Sequence, residues 1–148
     1  MATVELLFSA LPEHVRTARL VAAAVARRAG VDEAVLDEVR LAVGEACSRA
    51  VGLHVAHGVA APVRVVLIED EKKFSIEVAD DAPRPAAATV PSANGSGRPA
   101  PEEPAADGED DMGLAVISGL VDDVEVTAGE SGGLIRMSWP TTPAPVLP

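Results

Sequence analysis

Apolar and polar positions recur with different periods along the chain, and each change of period marks an element. Thr3-Val4-Glu5-Leu6-Leu7-Phe8 is short and partly alternating, which predicts a strand. Pro12 follows at a place suited to the first turn of a helix. From Glu13 to Ala29 the apolar positions Val15, Ala18, Ala22, Val25 and Ala29 recur at helical spacing. Arg16, Arg19, Arg27 and Arg28 decorate the other side, and Gly30 is a natural stop. Asp32 is placed to cap a second helix, running through Val35, Val39, Ala42, Val43, Ala46, Ala50 and Leu53 to about His57, with Gly58 ending it.

Beyond Gly58 the period shortens. Between Pro62 and Asp70, Val63, Val65 and Leu67 alternate with Arg64, Val66 and Ile68. After the charged turn Glu69-Asp70-Glu71-Lys72-Lys73, Phe74, Ile76 and Val78 alternate with Ser75 and Glu77. Two strands are predicted, the second leading into Asp80-Asp81. Residues 82–111 carry no period: Pro83, Pro85, Pro91, Pro99, Pro101 and Pro104 sit among Ala, Gly and Ser, and the run turns acidic from Glu102. Such a composition cannot bury enough apolar surface to order itself, so a long disordered, lid-like loop is expected there. Met112 to Leu120 reads as a short helix. Val121 to Ala128 and Leu134 to Trp139 read as a hairpin around Gly129-Glu130-Ser131-Gly132-Gly133.

The order β, α, α, β, β, loop, α, β, β predicts an α+β fold, a two-layer sandwich with helices on one face of a mixed sheet. One domain over residues 1–140 and a flexible proline-bearing tail over 141–148 are expected. With 48% apolar but only 2% aromatic residues, the core must be built from Ala, Val and Leu. No apolar run approaches the roughly 18 residues a membrane span needs, and no leader pattern opens the chain, so no membrane association is expected. The single cysteine, Cys47, allows no internal disulfide and fits a reducing, cytoplasmic setting. A net charge of −11 excludes general nucleic-acid binding, which needs a basic footprint. Arg far outnumbers Lys, and with abundant Ala, Val, Gly and Pro this suggests a GC-rich genome.

The candidate chemistry centres on Asp37 to Val51. Glu45 and Arg49 stand four residues apart on that helix, so their side chains are expected to meet. His54 and His57, with Cys47 earlier on the same helix, are the one grouping that suggests zinc, but their spacing matches no established zinc pattern, so no metal site is expected. Cys47, among small apolar residues, reads as inert core. Ser48, Ser118 and Ser131 have no His/Asp arrangement to make a nucleophile.

Four motifs in order then carry a resemblance. Phe8-Ser9-Ala10-Leu11-Pro12-Glu13-His14-Val15-Arg16-Thr17-Ala18-Arg19 is similar to an opening strand, Pro turn and Arg-bearing helix. Val39-Arg40-Leu41-Ala42-Val43-Gly44-Glu45-Ala46-Cys47 is similar to a second helix ending at an acidic residue. Met112-Gly113-Leu114 and Asp122-Asp123-Val124 are similar to the segment after a nucleotide lid. Together they resemble the anti-sigma-factor serine kinases of the RsbW and SpoIIAB type, within the histidine-kinase-like (GHKL, Bergerat-fold) ATPases. The likeness runs from about Val4 to Trp139 without the loop, and implies a divergent, actinobacterial-looking member.

The resemblance implies a general base at Glu45, with a Mg²⁺-holding Asn four residues on; here that place is Arg49. Arg is a permanent cation with no acceptor atom, so it cannot ligate a metal. It either contacts phosphates in place of Mg²⁺ or pairs with Glu45 and closes the site. Asp80 matches the adenine-binding Asp, but Asp81, Ala82, Pro83 and Arg84 stand where glycines normally follow. Asp110 and Asp111 precede Gly113, the one retained glycine at the lid's far end, and would repel an anion at a helix N-terminus. Arg84 and Arg98 are the lid's cations.

The resemblance further implies two partners: a sigma factor, sequestered, and a STAS-domain anti-sigma-factor antagonist, which releases it. Arg16 and Arg19 resemble the partner-facing arginines, and a homodimer is typical of the family. The expected function is therefore anti-sigma-type partner binding over a degenerate ATP site, with Glu45 vestigial, Arg49, Asp80 and Gly113 its remnants, and no cofactor needed. The alternative is an active ATP- and Mg²⁺-dependent serine kinase that phosphorylates the antagonist.

Overall fold

The computed structural model describes residues 2–83, 114–121 and 123–141. Most of the loop expected at 82–111 and the tail 142–148 lie outside the described residues. Strand β1 (Ala2–Phe8) leads through Pro12 at the helix start into α1 (Pro12–Ala29). Gly30, at φ 103°, takes the left-handed position that ends α1. Its N–H donates to the Arg27 carbonyl and that of Val31 to Ala26, satisfying carbonyls the helix leaves open. Asp32 caps a 3-10 turn (Glu33–Val35), not the second helix itself, accepting the Ala34 N–H at 3.1 Å. Helix α2 (Leu36–Ala56) follows directly, then β2 (Val63–Glu69) and β3 (Lys73–Asp80). A short helix α3 (114–120), β4 (Asp123–Gly129) and β5 (Gly132–Pro140) complete the fold.

The strands form one sheet in the order β1-β2-β3-β5-β4, and every neighbouring pair is antiparallel. The α+β two-layer architecture is as expected, but the sheet is not mixed. Two helices intervene between β1 and β2, and β2 returns against β1 as its antiparallel neighbour. The strands β3 and β4 do run the same way, but β5 lies between them and pairs with both.

Register divides the sheet into two faces. Val4, Leu6 and Phe8 stand opposite Leu67, Val65 and Val63; Val65 and Leu67 stand opposite Val78 and Ile76, and these opposite Ile135 and Met137. These side chains share the face that the helices cover, with α1 over β2 and α2 over β3. The side of α1 that meets α2 and the sheet is Ala-rich (Ala18, Ala22 and Ala26 are buried), which lets the helices approach closely. The other face has no covering helix among the described residues. There Ser75 and Ser138, paired across β3 and β5, satisfy each other with a 2.9 Å hydrogen bond, and Glu77 pairs with Arg136 at 3.7 Å.

The hairpin turn is tighter than the sequence suggests: β4 and β5 continue to the Gly129–Gly132 pair. Gly132 adopts φ 124°, and a Cβ there would lie 2.0 Å from the Asp80 carbonyl oxygen. A Gly132→Ala variant should lose roughly 2–3 kcal/mol of stability, combining backbone strain with a clash against main chain that cannot give way. Urea unfolding followed by emission of the lone Trp139, in a chain without Tyr, measures this directly.

Candidate functional site

Helix α2 presents its two flanks to different surroundings. Its core face carries Val39, Ala42, Val43, Ala46, Cys47, Ala50 and His54, all buried. At about 100° per residue, Gly44 and Arg49 lie about 140° apart around the axis. Gly44 marks the flank that meets α1, where the Arg19 side chain lies across its bare backbone; a Cβ at 44 would be 2.8 Å from Arg19 Cδ. Arg19 is thus a half-buried packing residue of the helix pair, whereas Arg16 stands exposed on α1. Glu45 and Arg49 occupy the opposite flank, both half-buried.

The Glu45–Arg49 contact expected from their spacing is absent: no ion pair joins them among the described residues. Four-residue spacing brings two side chains within reach, but a pair forms only if neither finds better company, and Arg49 is engaged elsewhere with its Nε shielded from solvent. Among the described residues, α2 makes an ion pair between Asp37 and Arg40 in its first turn. A guanidinium therefore occupies the flank where a Mg²⁺ ligand would need an oxygen. Arg49 offers that ion no lone pair, so the residue at this place does not fit it.

At the end of β3 the chain turns sharply. Asp80 is 5% exposed, and its Oδ1 accepts the Ala82 N–H at 3.0 Å. Ala82, expected to begin the disordered loop, is instead fully buried, its N–H held by the Asp80 carboxylate. The Asp81 N–H donates to Nε2 of His54 at 2.9 Å, and Nδ1 of His54 lies 2.9 Å from the Ala61 carbonyl oxygen. His57 instead turns to its own helix, with Nδ1 3.0 Å from the Leu53 carbonyl oxygen. His54 and His57 are thus occupied with main chain, and no cluster of acidic, His and Cys side chains suited to a metal ion occurs among the described residues. Sequence reasoning missed the role of His54. The available signal was its place on the apolar face, in line with Val43, Cys47 and Ala50.

Of the sequence-predicted site residues, the structure places Glu45, Arg49 and Asp80, while Gly113, Asp110, Asp111, Arg84 and Arg98 lie outside the described residues. Glu45 and Arg49 share one flank of α2, Asp80 stands at the sheet's end near the C-terminus of the same helix, and Arg16 is apart on α1.

A family model described as the histidine kinase-like ATPase domain matches residues 8–139. No curated protein matches the sequence significantly. Among solved structures, the chain is similar to a crystal structure of the RsbU and RsbW domains of a Mycobacterium tuberculosis protein, with a TM-score of 0.66 at 16% identity. That likeness covers 100% of this chain and 34% of the other, so the chain spans about a third of the length of the structure it matches.

Cys47, completely buried on the core face of α2, has its thiol pushed from the ordinary 9.0 up to about 12 by desolvation. The folded state keeps the proton after the unfolded chain has released it. Stability should therefore be unaffected by this group below pH 9.0 and fall above it, by up to about 1.4 kcal/mol per pH unit until about pH 12. Comparing the alkaline slopes of the wild type and Cys47→Ala, by Trp139 emission in urea, isolates this contribution; equal slopes would contradict it.

Proposed function

The chain belongs to the histidine kinase-like ATPase domain family, and we propose that within it the protein acts as an anti-sigma-type regulator that works mainly by binding other proteins. Its partners in this reading are a sigma factor, a STAS-domain antagonist, or both in turn, met in the cytoplasm by a single domain over residues 1–140. The observation that carries the reading is the guanidinium of Arg49 on the Glu45 flank of α2, where metal-dependent phosphoryl transfer would need a neutral or anionic oxygen. Without the metal, Glu45 has no activated phosphate to direct a hydroxyl toward, and phosphorylation of a partner is weak or lost. The likeness in fold to a structure containing an RsbW domain supports a partner-switching role.

The partner surface in this reading is α1 with the adjoining β1, centred on exposed Arg16. Arg19, held against Gly44, shapes that surface from beneath. Because Gly44 and Arg49 face opposite ways, partner binding on α1 does not require an intact nucleotide flank on α2.

The alternative, an active Mg²⁺-dependent serine kinase, predicts a different titration. With a fluorescent ATP analogue, the wild type should show binding that Mg²⁺ does not strengthen, whereas Arg49→Asn should gain Mg²⁺-dependent affinity of about tenfold or more. Tight Mg²⁺-dependent binding by the wild type would overturn the proposal. In affinity capture from cytoplasmic extract with mass spectrometry, a sigma factor or a STAS-domain protein should be recovered, and Arg16→Glu should lower recovery by about tenfold through repulsion of an acidic partner surface. Recovery of neither class would sink the anti-sigma assignment.

A further inference from the structure

His54 is fully buried at the end of α2, yet both ring nitrogens are spent on main chain. A carbonyl oxygen can only accept a hydrogen bond, and a backbone N–H can only donate one. Facing the Ala61 carbonyl and the Asp81 N–H, the ring must carry its proton on Nδ1 and leave Nε2 bare. The imidazole is therefore a neutral connector of fixed polarity. It ties together the end of α2, the turn before β2 and the corner after β3, segments that share no other side-chain hydrogen bond among the described residues.

That corner is constrained on every side. On one, His54 takes the Asp81 N–H. Within it, Asp80 Oδ1 takes the next N–H, that of Ala82. On the other, the bare Cα of Gly132 lies against the Asp80 carbonyl, leaving no room for a side chain. Two successive donors after β3 are thus fixed in direction, and with them the orientation of the Asp80 carboxylate. A ring displaced from Asp81 would free its N–H to rotate, and the turn closed by Asp80 would lose its backing.

We propose that His54 is a positioning residue for Asp80: it fixes the corner that presents this carboxylate, and thereby sets affinity for a 6-aminopurine base, one without a 6-oxo group, at the end of β3. The second half rests on the reading of Asp80 as the base-recognising residue; the hold on the corner does not. A base bound this way engages no phosphate and needs no metal, so it is compatible with Arg49.

The test uses the full ¹⁵N-labelled chain with His54→Gln and His54→Leu. Gln extends far enough to keep an acceptor near the place of Nε2, whereas Leu fills the space without polar atoms. Long-range ¹H–¹⁵N spectra should show the Nδ1–H tautomer in the wild type; the opposite tautomer would overturn the proposal. Amide exchange at Asp81 should quicken about tenfold or more in His54→Leu and stay within about threefold in His54→Gln, with Ile76 and Val78 unchanged. Unchanged Asp81 exchange in His54→Leu, or equal acceleration at Ile76 and Val78, would overturn it as mere packing. If His54→Leu does not fold, His54→Asn takes its place, reaching Ala61 but not Asp81. Adenosine, titrated without metal and against guanosine as control, should bind the wild type and His54→Gln alike and His54→Leu about tenfold more weakly. If the wild type ignores adenosine while exchange behaves as expected, base recognition by Asp80 is overturned and the corner-fixing role stands.

Discussion

Burial of α2 is the constraint from which the rest of the structure follows. The helix is covered by β3 on one side and α1 on another, and more than half of its circumference is closed to solvent. Such a helix can carry only small or apolar residues where it is covered, which explains Ala42, Ala46, Ala50 and the bare Gly44. Polar residues are left to its first turn, where Asp37 pairs with Arg40, to the solvent side, to the flank holding Glu45 and Arg49, and to the far end, where His54 is buried but bonded. Because the core is packed to solid-like density, the directions of these side chains are fixed by the helix and not by their own preferences.

Two surfaces of different kind result. On the α1 side, of the two arginines that the resemblance assigned to partner contact, Arg19 lies against Gly44 while Arg16 stands outside. On the other side, a permanent cation occupies a flank that in a metal-dependent kinase must attract another cation. A guanidinium repels a divalent cation and offers it no lone pair, so Arg49 works against metal binding on that flank. Asp80 stands clear of that flank, with its carboxylate held in a tightly built corner by the Ala82 N–H.

The hydrophobic pattern made most of the fold legible. Period-two alternation at 63–68 and 74–78 located β2 and β3, and helical spacing located α1 and α2, because in both cases one face must be apolar for the element to be buried. Burial of Cys47 followed from its small apolar neighbours. The antiparallel sheet did not follow, since the insertion of β5 between β3 and β4 depends on pairing between distant segments. Nor did the burial of Ala82, which looks like the first residue of a featureless run but is fully buried with its N–H bonded to the Asp80 carboxylate.

By itself the sequence determined the elements, the α+β class and the chemical identity of the site residues, above all an arginine four residues after Glu45. These are local properties: a period, a residue type, a spacing. Only the tertiary structure decided which of those residues meet. Spacing allowed Glu45 to reach Arg49, but a side chain within reach of several partners goes to the one its surroundings favour, and those surroundings are assembled from the whole fold. The same holds for His54. Its contact with Asp81 joins residues 27 apart in the chain, and its tautomer is dictated by a carbonyl and an N–H that only the folded main chain brings to the ring.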